Sequence, residues 1–137
     1  MAVPGRGPRT GTPVPGREEG SAVVDFVLVG SLLVVFFMAI IQLALVLHVR
    51  NTLIDAAASG ARYGTLADRG AADAEERTRS LIGLALNPEF AEHVSISEVT
   101  VGGLRTLEVT VRAPMPVIGL IGPRETLEVK GHAPVQP

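Results

Sequence analysis

The chain contains no cysteine, no tryptophan and only one tyrosine in 137 residues. The lack of cysteine excludes disulfides, thiolate zinc sites and cysteine nucleophiles. With so few aromatic residues, the chain also lacks platforms on which nucleic-acid bases could stack. Its charge is nearly balanced, with 12 Lys+Arg against 14 Asp+Glu, whereas a domain that binds nucleic acid has a basic face. We therefore expect no nucleic-acid partner.

Charged residues are also missing from one long segment, residues 26–47, whose sequence is FVLVGSLLVVFFMAIIQLALVL. As an α-helix it would extend roughly 33 Å, which is enough to cross a bilayer core of about 30 Å. A core helix that is apolar on every face would need a much larger protein around it. A cleaved secretory signal has a shorter apolar core that follows a basic region, whereas Glu18 and Glu19 precede this segment. The segment therefore favours a transmembrane helix in the lipid bilayer over both alternatives.

The composition divides the chain into three parts. Residues 1–20 begin with a stretch rich in proline, glycine and arginine, which predicts a disordered leader or tail. Residues 21–47 form the predicted transmembrane helix, and residues 48–137 form the predicted outer domain. The basic residues that flank the span give a slight bias toward a cytoplasmic N-terminus by the positive-inside rule.

The pattern of the outer domain predicts an α+β fold. The transmembrane helix continues as a long amphipathic helix and ends at Gly64, because apolar and small residues recur at spacings of three and four up to that point. A second helix is predicted over residues 71–86, with Asp73/Arg77 and Glu75/Arg79 as i,i+4 ion pairs. Ala74, Leu81, Ile82 and Ala85 would form its apolar face.

The rest of the chain alternates apolar and polar residues, as strands with one solvent-exposed face do. The predicted strands are residues 93–101, 107–112 and 126–130, and Gly102-Gly103 is a two-residue turn between the first two. The prolines at positions 114 and 116 should end the second strand, and an apolar loop over residues 117–122 should follow. We expect a small antiparallel sheet of about three strands that packs against the helices.

Small residues form a stripe on the last turns of the long helix, namely Ala57, Gly60, Ala61 and Gly64. In one interpretation, they let the sheet of the same chain pack close to the helix. In the other, they form a close helix–helix contact between subunits, as small residues do in membranes. The sequence leaves both interpretations open.

No arrangement of catalytic or metal-binding residues is evident. The histidines, His48, His93 and His132, lie on three different predicted elements, whereas a zinc site needs three or four ligands close together. The glycine-rich N-terminal stretch has no following Lys-Ser/Thr and no preceding strand, so it is not a phosphate-binding loop. We therefore expect no enzymatic activity, no metal, no cofactor and no small-molecule substrate.

Asp25 lies at the very start of the apolar segment, in the sequence GSAVVDF of residues 20–26. In one interpretation, it marks the membrane interface and is stabilised by the positive end of the helix dipole. In the other, cleavage after Gly20 gives Ser21 a free α-ammonium. This ammonium would then pair with Asp25 and set neighbouring subunits in axial register, since either charge alone in hydrocarbon is costly.

These segments resemble the TadE/TadG-like family of tight-adherence pilus proteins, which are pseudopilins. The resemblance is carried by GSAVVDFVLVGSLLVVFFMAIIQ at the start of the span, by RNTLIDAAASGARYGT after it and by the terminal strands, and it covers roughly residues 20–132. Members typically begin the span with an SAxVEF-like sequence, and here Asp25 stands where glutamate is usual. Eleven of the 12 basic residues of this chain are arginine. Many relatives come from actinobacterial proteomes, which have the same preference.

The resemblance implies a bacterial cytoplasmic membrane protein with a single span, a cytoplasmic N-terminus and an extracytoplasmic domain. It also implies cleavage between Gly20 and Ser21 by a prepilin-type peptidase, and assembly with other pilin-like subunits and pilus assembly proteins. A different class of protein also fits the pattern, namely a binding or regulatory module that an uncleaved span tethers to the membrane.

Overall fold

The computed structural model describes residues 2–8, 11, 16–116 and 126–136. The chain forms two compact units, Met1–Ala39 and Ile40–Pro137, called the N-terminal unit and the C-terminal unit below. The elements are, in order, α1 (Gly16–Gly64), α2 (Ala71–Ala85), a 3₁₀ turn (Pro88–Ala91), β1 (His93–Val101), β2 (Leu104–Pro114) and β3 (Thr126–Pro134). The α+β fold predicted from the sequence is confirmed.

Helix α1 begins earlier than the apolar segment. It starts at Gly16, so the last five residues of the predicted leader, residues 16–20, are helical. Glu18 and Glu19 lie in its first turn, where the positive end of the helix dipole stabilises carboxylates. Residues 2–8 and Gly11 form neither helix nor strand and are exposed. The rest of the predicted tail before Gly16 lies outside the described residues.

In the N-terminal unit, α1 exposes large apolar side chains on every side. Between Val23 and Met38 their exposed fractions range from 51 % to 78 %. A core helix would have most of this surface buried, whereas only 6 % of the most apolar 18-residue window is buried. Of the helices in the described part of the chain, α1 alone is long and apolar enough to cross a bilayer. This helix fits a single-pass membrane protein.

In the C-terminal unit, α1 becomes amphipathic and buries one stripe in the core. Val49, Leu53 and Ala56, which recur at spacings of three and four, are almost fully buried, whereas Tyr63 is only half-buried. The other fully buried large side chains come from α2 and β2, namely Ile82, Thr78, Val109 and Val111. The core therefore lies between the two helices and one face of the sheet.

Helix α2 begins at a cap that the sequence analysis missed. The Gly70 N–H donates to Oδ2 of Asp73 at 2.9 Å, and Asp73 also lies 3.6 Å from the Arg69 guanidinium. The predicted Glu75–Arg79 pair is present at 2.8 Å. The predicted Asp73–Arg77 pair is not present, because Asp73 is turned toward the start of the helix. The Arg77 guanidinium lies 5.8 Å from the centre of the Tyr63 ring instead.

The buried face of α2 also differs from the prediction at two positions. Ala74 and Ile82 are buried as expected, and Leu81 is half-buried. Ala85 is exposed, because α2 ends there and Leu86 is already extended. Thr78, a polar residue, takes a fully buried position because its hydroxyl donates to the Ala74 carbonyl at 2.8 Å.

The sheet is antiparallel with the order β1-β2-β3. β1 has the predicted bounds, whereas β3 continues four residues past its predicted end, to Pro134. Pairing with β2 explains this longer strand, since His132 and Ala133 lie opposite Glu108 and Leu107. The two-residue turn at Gly102-Gly103 is confirmed, and both glycines have positive φ, +59° and +81°. The predicted apolar loop over residues 117–122 lies outside the described residues.

Candidate functional site

The predicted processing and register residues lie together near the start of α1. Gly20, Ser21 and Asp25 are all helical and exposed. A Cβ added to Gly20 would meet no heavy atom within 4 Å outside its own stretch of helix, so no other described residue packs against this position. Asp25 makes no ion pair within the described residues. Because α1 begins nine residues before Asp25, the carboxylate lies beyond the first turn, where the helix dipole acts, and this part of the interface interpretation is wrong. In the uncleaved chain the Ser21 nitrogen is an amide, so the register interpretation stays a prediction.

An exposed apolar surface follows Asp25 directly. We call the exposed large apolar side chains of residues 26–38 the apolar band. Monomeric soluble proteins rarely expose contiguous apolar patches larger than a few hundred Å². Covering such side chains stabilises by about 25 cal/mol per Å² of apolar surface removed from water. The band therefore requires a cover, and either lipid or neighbouring apolar helices can supply it.

The stripe of small residues lies inside the C-terminal unit. Ala57, Gly60, Ala61 and Gly64 are all buried. A Cβ on Gly60 would overlap Oγ1 of Thr78 and lie 2.8 Å from the Ala74 carbonyl oxygen of α2. A Cβ on Gly64 would lie 2.6 Å from Cβ of Ala74. Contacts with α2 of the same chain therefore occupy this part of the stripe.

The sheet approaches the same stripe with a glycine of its own. A Cβ on Gly131 of β3 would collide with the backbone of Ala57 and Ala58. A Cβ on Gly64 would also come within 2.7 Å of Cδ2 of Leu107 in β2. Small residues are therefore needed on both surfaces of this contact. These distances agree with the interpretation in which the stripe packs against the sheet of its own chain. The contact between subunits stays a prediction.

The solvent-exposed face of the sheet carries an ion cluster that the sequence analysis missed. Oε1 of Glu108 accepts from Lys130 Nζ at 3.1 Å, and Oε2 lies 2.8 Å from His132 Nε2. Hydrogen bonds from His132 and then from Lys130 lower the pKa of Glu108 below its ordinary value. Glu128 and Arg112 form a second cross-strand pair at 2.8 Å. The β2–β3 register brings these residues together. The sequence indicated only that Glu108 and Arg112 lie on the solvent-exposed face of their strand.

An open cleft of about 440 Å³ lies where β1 begins and β2 ends. It is lined by Glu89, Glu92, His93, Arg112, Ala113, Pro114 and Thr126. Its polar side chains are of both charge signs. Within the described residues, no three acidic or histidine side chains are close enough together to hold a metal ion. His48 and His132 do not line this cleft.

The comparisons with known proteins gave one match. Residues 20–62 match the family model described as TadE-like protein. The matched segment covers less than a third of the chain, begins at Gly20 and includes Asp25, the apolar band and most of the stripe of small residues. It confirms the predicted resemblance over these residues, whereas the second helix and the terminal strands lie outside the match. Comparison with curated proteins and comparison with solved structures each gave no match.

Proposed function

We propose that the chain, whose residues 20–62 match the TadE-like family model, is a pseudopilin-like minor structural subunit of a tight-adherence pilus or a related secretion assembly. A TadE-like domain suggests a pilus-associated protein and implies an association with pilus assembly components. The finer proposal is that α1 inserts into the cytoplasmic membrane and that subunits assemble laterally through it. This role requires no catalytic residue and no cofactor.

The observation that carries the proposal is the apolar band, which lies within the matched segment and is exposed on every side of α1. A single span needs cover only from lipid, and this band can also pack against other apolar helices when subunits leave the bilayer. The band is therefore available for lateral contact.

Asp25 gives the proposed assembly its register. It lies one residue before the apolar band and is exposed. After cleavage between Gly20 and Ser21, the new α-ammonium would lie four residues before this carboxylate, about one helical turn away. A desolvated ion pair of this kind is costly to break by removing one partner. We propose that the pair forms between neighbouring subunits and rejects those that are axially displaced.

The orientation of the chain in the membrane follows from the proposed cleavage. A prepilin-type peptidase acts at the cytoplasmic face, so Gly20 would lie inside the cell and the C-terminal unit outside it. The slight excess of basic residues before the span agrees with this orientation.

The first test is the mass of the mature protein. The full chain is expressed in cells that contain a prepilin-type peptidase, and its N-terminus is determined by mass spectrometry. We expect the mature chain to begin at Ser21, and we expect Gly20→Val to block this cleavage. Gly30→Val is the matched control, because Gly30 also lies in α1 with no heavy atom near its added Cβ. A wild-type chain that still begins before Ser21 would show that the processing proposal is wrong.

A second candidate function is a membrane-tethered binding module. The cleft lined by Glu89, His93 and Arg112 favours it, because the charges of both signs there could hold a polar ligand. The two functions differ in their need for Asp25. In an assembling subunit, Asp25→Ala should abolish crosslinking between single cysteines placed at Val27, and Asp25→Glu should retain it. A tethered module would tolerate both changes equally.

A further inference from the structure

One contact links the apolar segment of α1 to the end of the sheet. Gln42 is the single amide side chain in residues 26–47. Its Nε2 donates a hydrogen bond to the carbonyl oxygen of Pro116, two residues beyond the end of β2. Gln42 precedes Leu47, the last residue of the segment, by about 7.5 Å of helix. The backbone at Pro116 therefore lies beside a part of α1 that is still apolar.

Other side chains of α1 at this level are apolar and exposed. Ile41 is 55 % exposed and Leu43 is 61 % exposed, whereas Gln42 itself is half-buried. If residues 26–47 span the bilayer, these exposed side chains contact lipid. Residues within one turn of a helix differ in depth by at most about 5 Å. The backbone that contacts Gln42 must then lie at or near lipid depth too.

The end of β2 is uncharged and rich in proline, which suits a position at lipid depth. Residues 113–116 read Ala-Pro-Met-Pro and carry no charge. Backbone N–H groups without a partner cost several kcal/mol in lipid, and Pro114 and Pro116 have no N–H. The Pro116 carbonyl has Gln42 as its donor. The side chain of Met115 is half-buried and apolar.

The charged residues of the sheet begin at a matching height. Arg112 lies two residues before Pro114, which is about 7 Å along a strand. Its guanidinium is exposed and pairs with Glu128 at 2.8 Å. The headgroup layer on each side of a bilayer is about 5–8 Å thick. Pro116 lies at the level of Gln42, about 7.5 Å inside the end of the apolar segment, and Arg112 lies four residues, at most about 14 Å, before Pro116 along the chain. Arg112 then reaches the headgroups, and the outer end of the sheet lies in water.

We propose that the end of β2, residues 114–116, is a second membrane contact, which lies in the outer lipid interface beside Gln42. This contact rests on the membrane insertion in the proposed function. It holds the C-terminal unit against the bilayer surface, and the Gln42–Pro116 hydrogen bond keeps the end of β2 at the level of Gln42. The partner is the lipid bilayer itself and not a protein.

The lack of cysteine allows a direct test in the full chain. Single cysteines replace Met115, Leu43 and Ser97 in separate variants, each of which carries a nitroxide spin label in phosphatidylcholine vesicles. Leu43 is the lipid reference because it is exposed on α1, and Ser97 is the water reference because it is exposed on β1. Power saturation measures access to oxygen and to a water-soluble nickel chelate. We expect the label at Met115 to be several-fold less accessible to nickel than the label at Ser97.

The two references separate the possible failures. A label at Met115 as accessible to nickel as that at Ser97, with Leu43 in lipid, overturns this contact and leaves the proposed function intact. A label at Leu43 that is itself in water overturns the span and with it both proposals. Met115→Trp gives an independent measurement, because the chain has no other tryptophan. Its fluorescence should be quenched by brominated lipids, and a lack of quenching overturns the contact.

Discussion

Gly60 of α1 lies so close to Thr78 of α2 that a single methyl group decides whether the two helices fit. An added Cβ would overlap the Thr78 hydroxyl and press on the Ala74 carbonyl, which is backbone and cannot move aside cheaply. We expect Gly60→Ala to lower the free energy of unfolding by about 1–3 kcal/mol, as overpacking does. Denaturant-induced unfolding of the full chain in mild detergent, followed by circular dichroism, measures this change.

Gly83 provides the matched control for this prediction. It lies in α2, and an added Cβ there meets no other heavy atom within 4 Å. Gly83→Ala should therefore raise the free energy of unfolding by about 0.5–1 kcal/mol, because alanine loses less backbone entropy in a helix. If the two variants were equally stable, the close contact between α1 and α2 would not exist.

The lowered pKa of Glu108 predicts how the stability of the C-terminal unit depends on pH. Its pKa is lower in the folded chain than the ordinary value of a glutamate, about 4.5, first because of the hydrogen bond from His132 and then because of the one from Lys130. The folded state therefore binds fewer protons than the unfolded state, so the contribution is fully present above the unfolded pKa and is lost as the pH falls through the folded pKa. We expect Glu108→Gln to reduce the loss of stability below about pH 4.5.

The size of this effect at neutral pH should be modest. Lys130 and His132 are 45 % exposed, so solvent screens both pairs. Each exposed pair of this type contributes about 0.2–1 kcal/mol. Glu76→Gln is the control, because Glu76 is exposed on α2 and makes no ion pair in the described part of the chain. An acid limb of the unfolding curve that Glu108→Gln leaves unchanged would contradict the prediction.

At the scale of elements, local patterns predicted most boundaries, and the differences have physical causes. β1 and the end of α1 at Gly64 were predicted to the residue, since the alternation and the helical stripe both stop there. β3 is longer than predicted because pairing with β2 keeps residues 131–134 extended even though Gly131 and Pro134 are poor strand residues. That pairing is a long-range contact, so a local pattern could not reveal it.

In the candidate site, too, the residues that are close in the sequence were predictable and those brought together by long-range pairing were not. Asp25 and the stripe were evident because one sequence window contains all their residues. The cluster around Glu108 was not, because Lys130 and His132 are more than twenty residues away along the chain and are brought near by the strand register. Thr78 was also missed, since its buried hydroxyl depends on an i−4 carbonyl that the hydrophobic pattern does not represent.

The β1–β2 hairpin gives a prediction about one element as a whole. Gly102 has φ +59°, in the left-handed region, and no heavy atom lies within 4 Å of its added Cβ. The cost of a side chain there is therefore only that of the backbone conformation. Asparagine tolerates this region, whereas a β-branched residue does so poorly.

Gly102→Asn should therefore unfold close to the wild type, and Gly102→Val should lose about 1–2 kcal/mol relative to it. Thermal unfolding of both variants in the same detergent measures the difference. Equal stabilities would mean that the turn does not require a left-handed residue at this position.

At the scale of the whole molecule, the chain combines an apolar helix with a C-terminal unit that has its own core. Exposed leucines occur in both units, but their consequences differ. On the C-terminal unit, Leu66 and Leu84 are exposed singly, which is normal for a soluble surface. In the N-terminal unit, the exposed apolar side chains are continuous over residues 26–38, so charge there should oppose insertion into the membrane.

A matched pair of double variants tests this difference. Val34→Arg/Met38→Arg places two charges near the middle of the apolar segment, at about 2.5–3.5 kcal/mol each on insertion scales. We expect the fraction of the chain that resists alkaline carbonate extraction from membranes to fall sharply. Leu66→Arg/Leu84→Arg adds the same charge to the C-terminal unit and should leave that fraction unchanged. If both variants stayed in the membrane equally, residues 26–47 would not be the part of the chain that holds it there, because two arginines in the middle of a span oppose the burial of its apolar side chains in lipid.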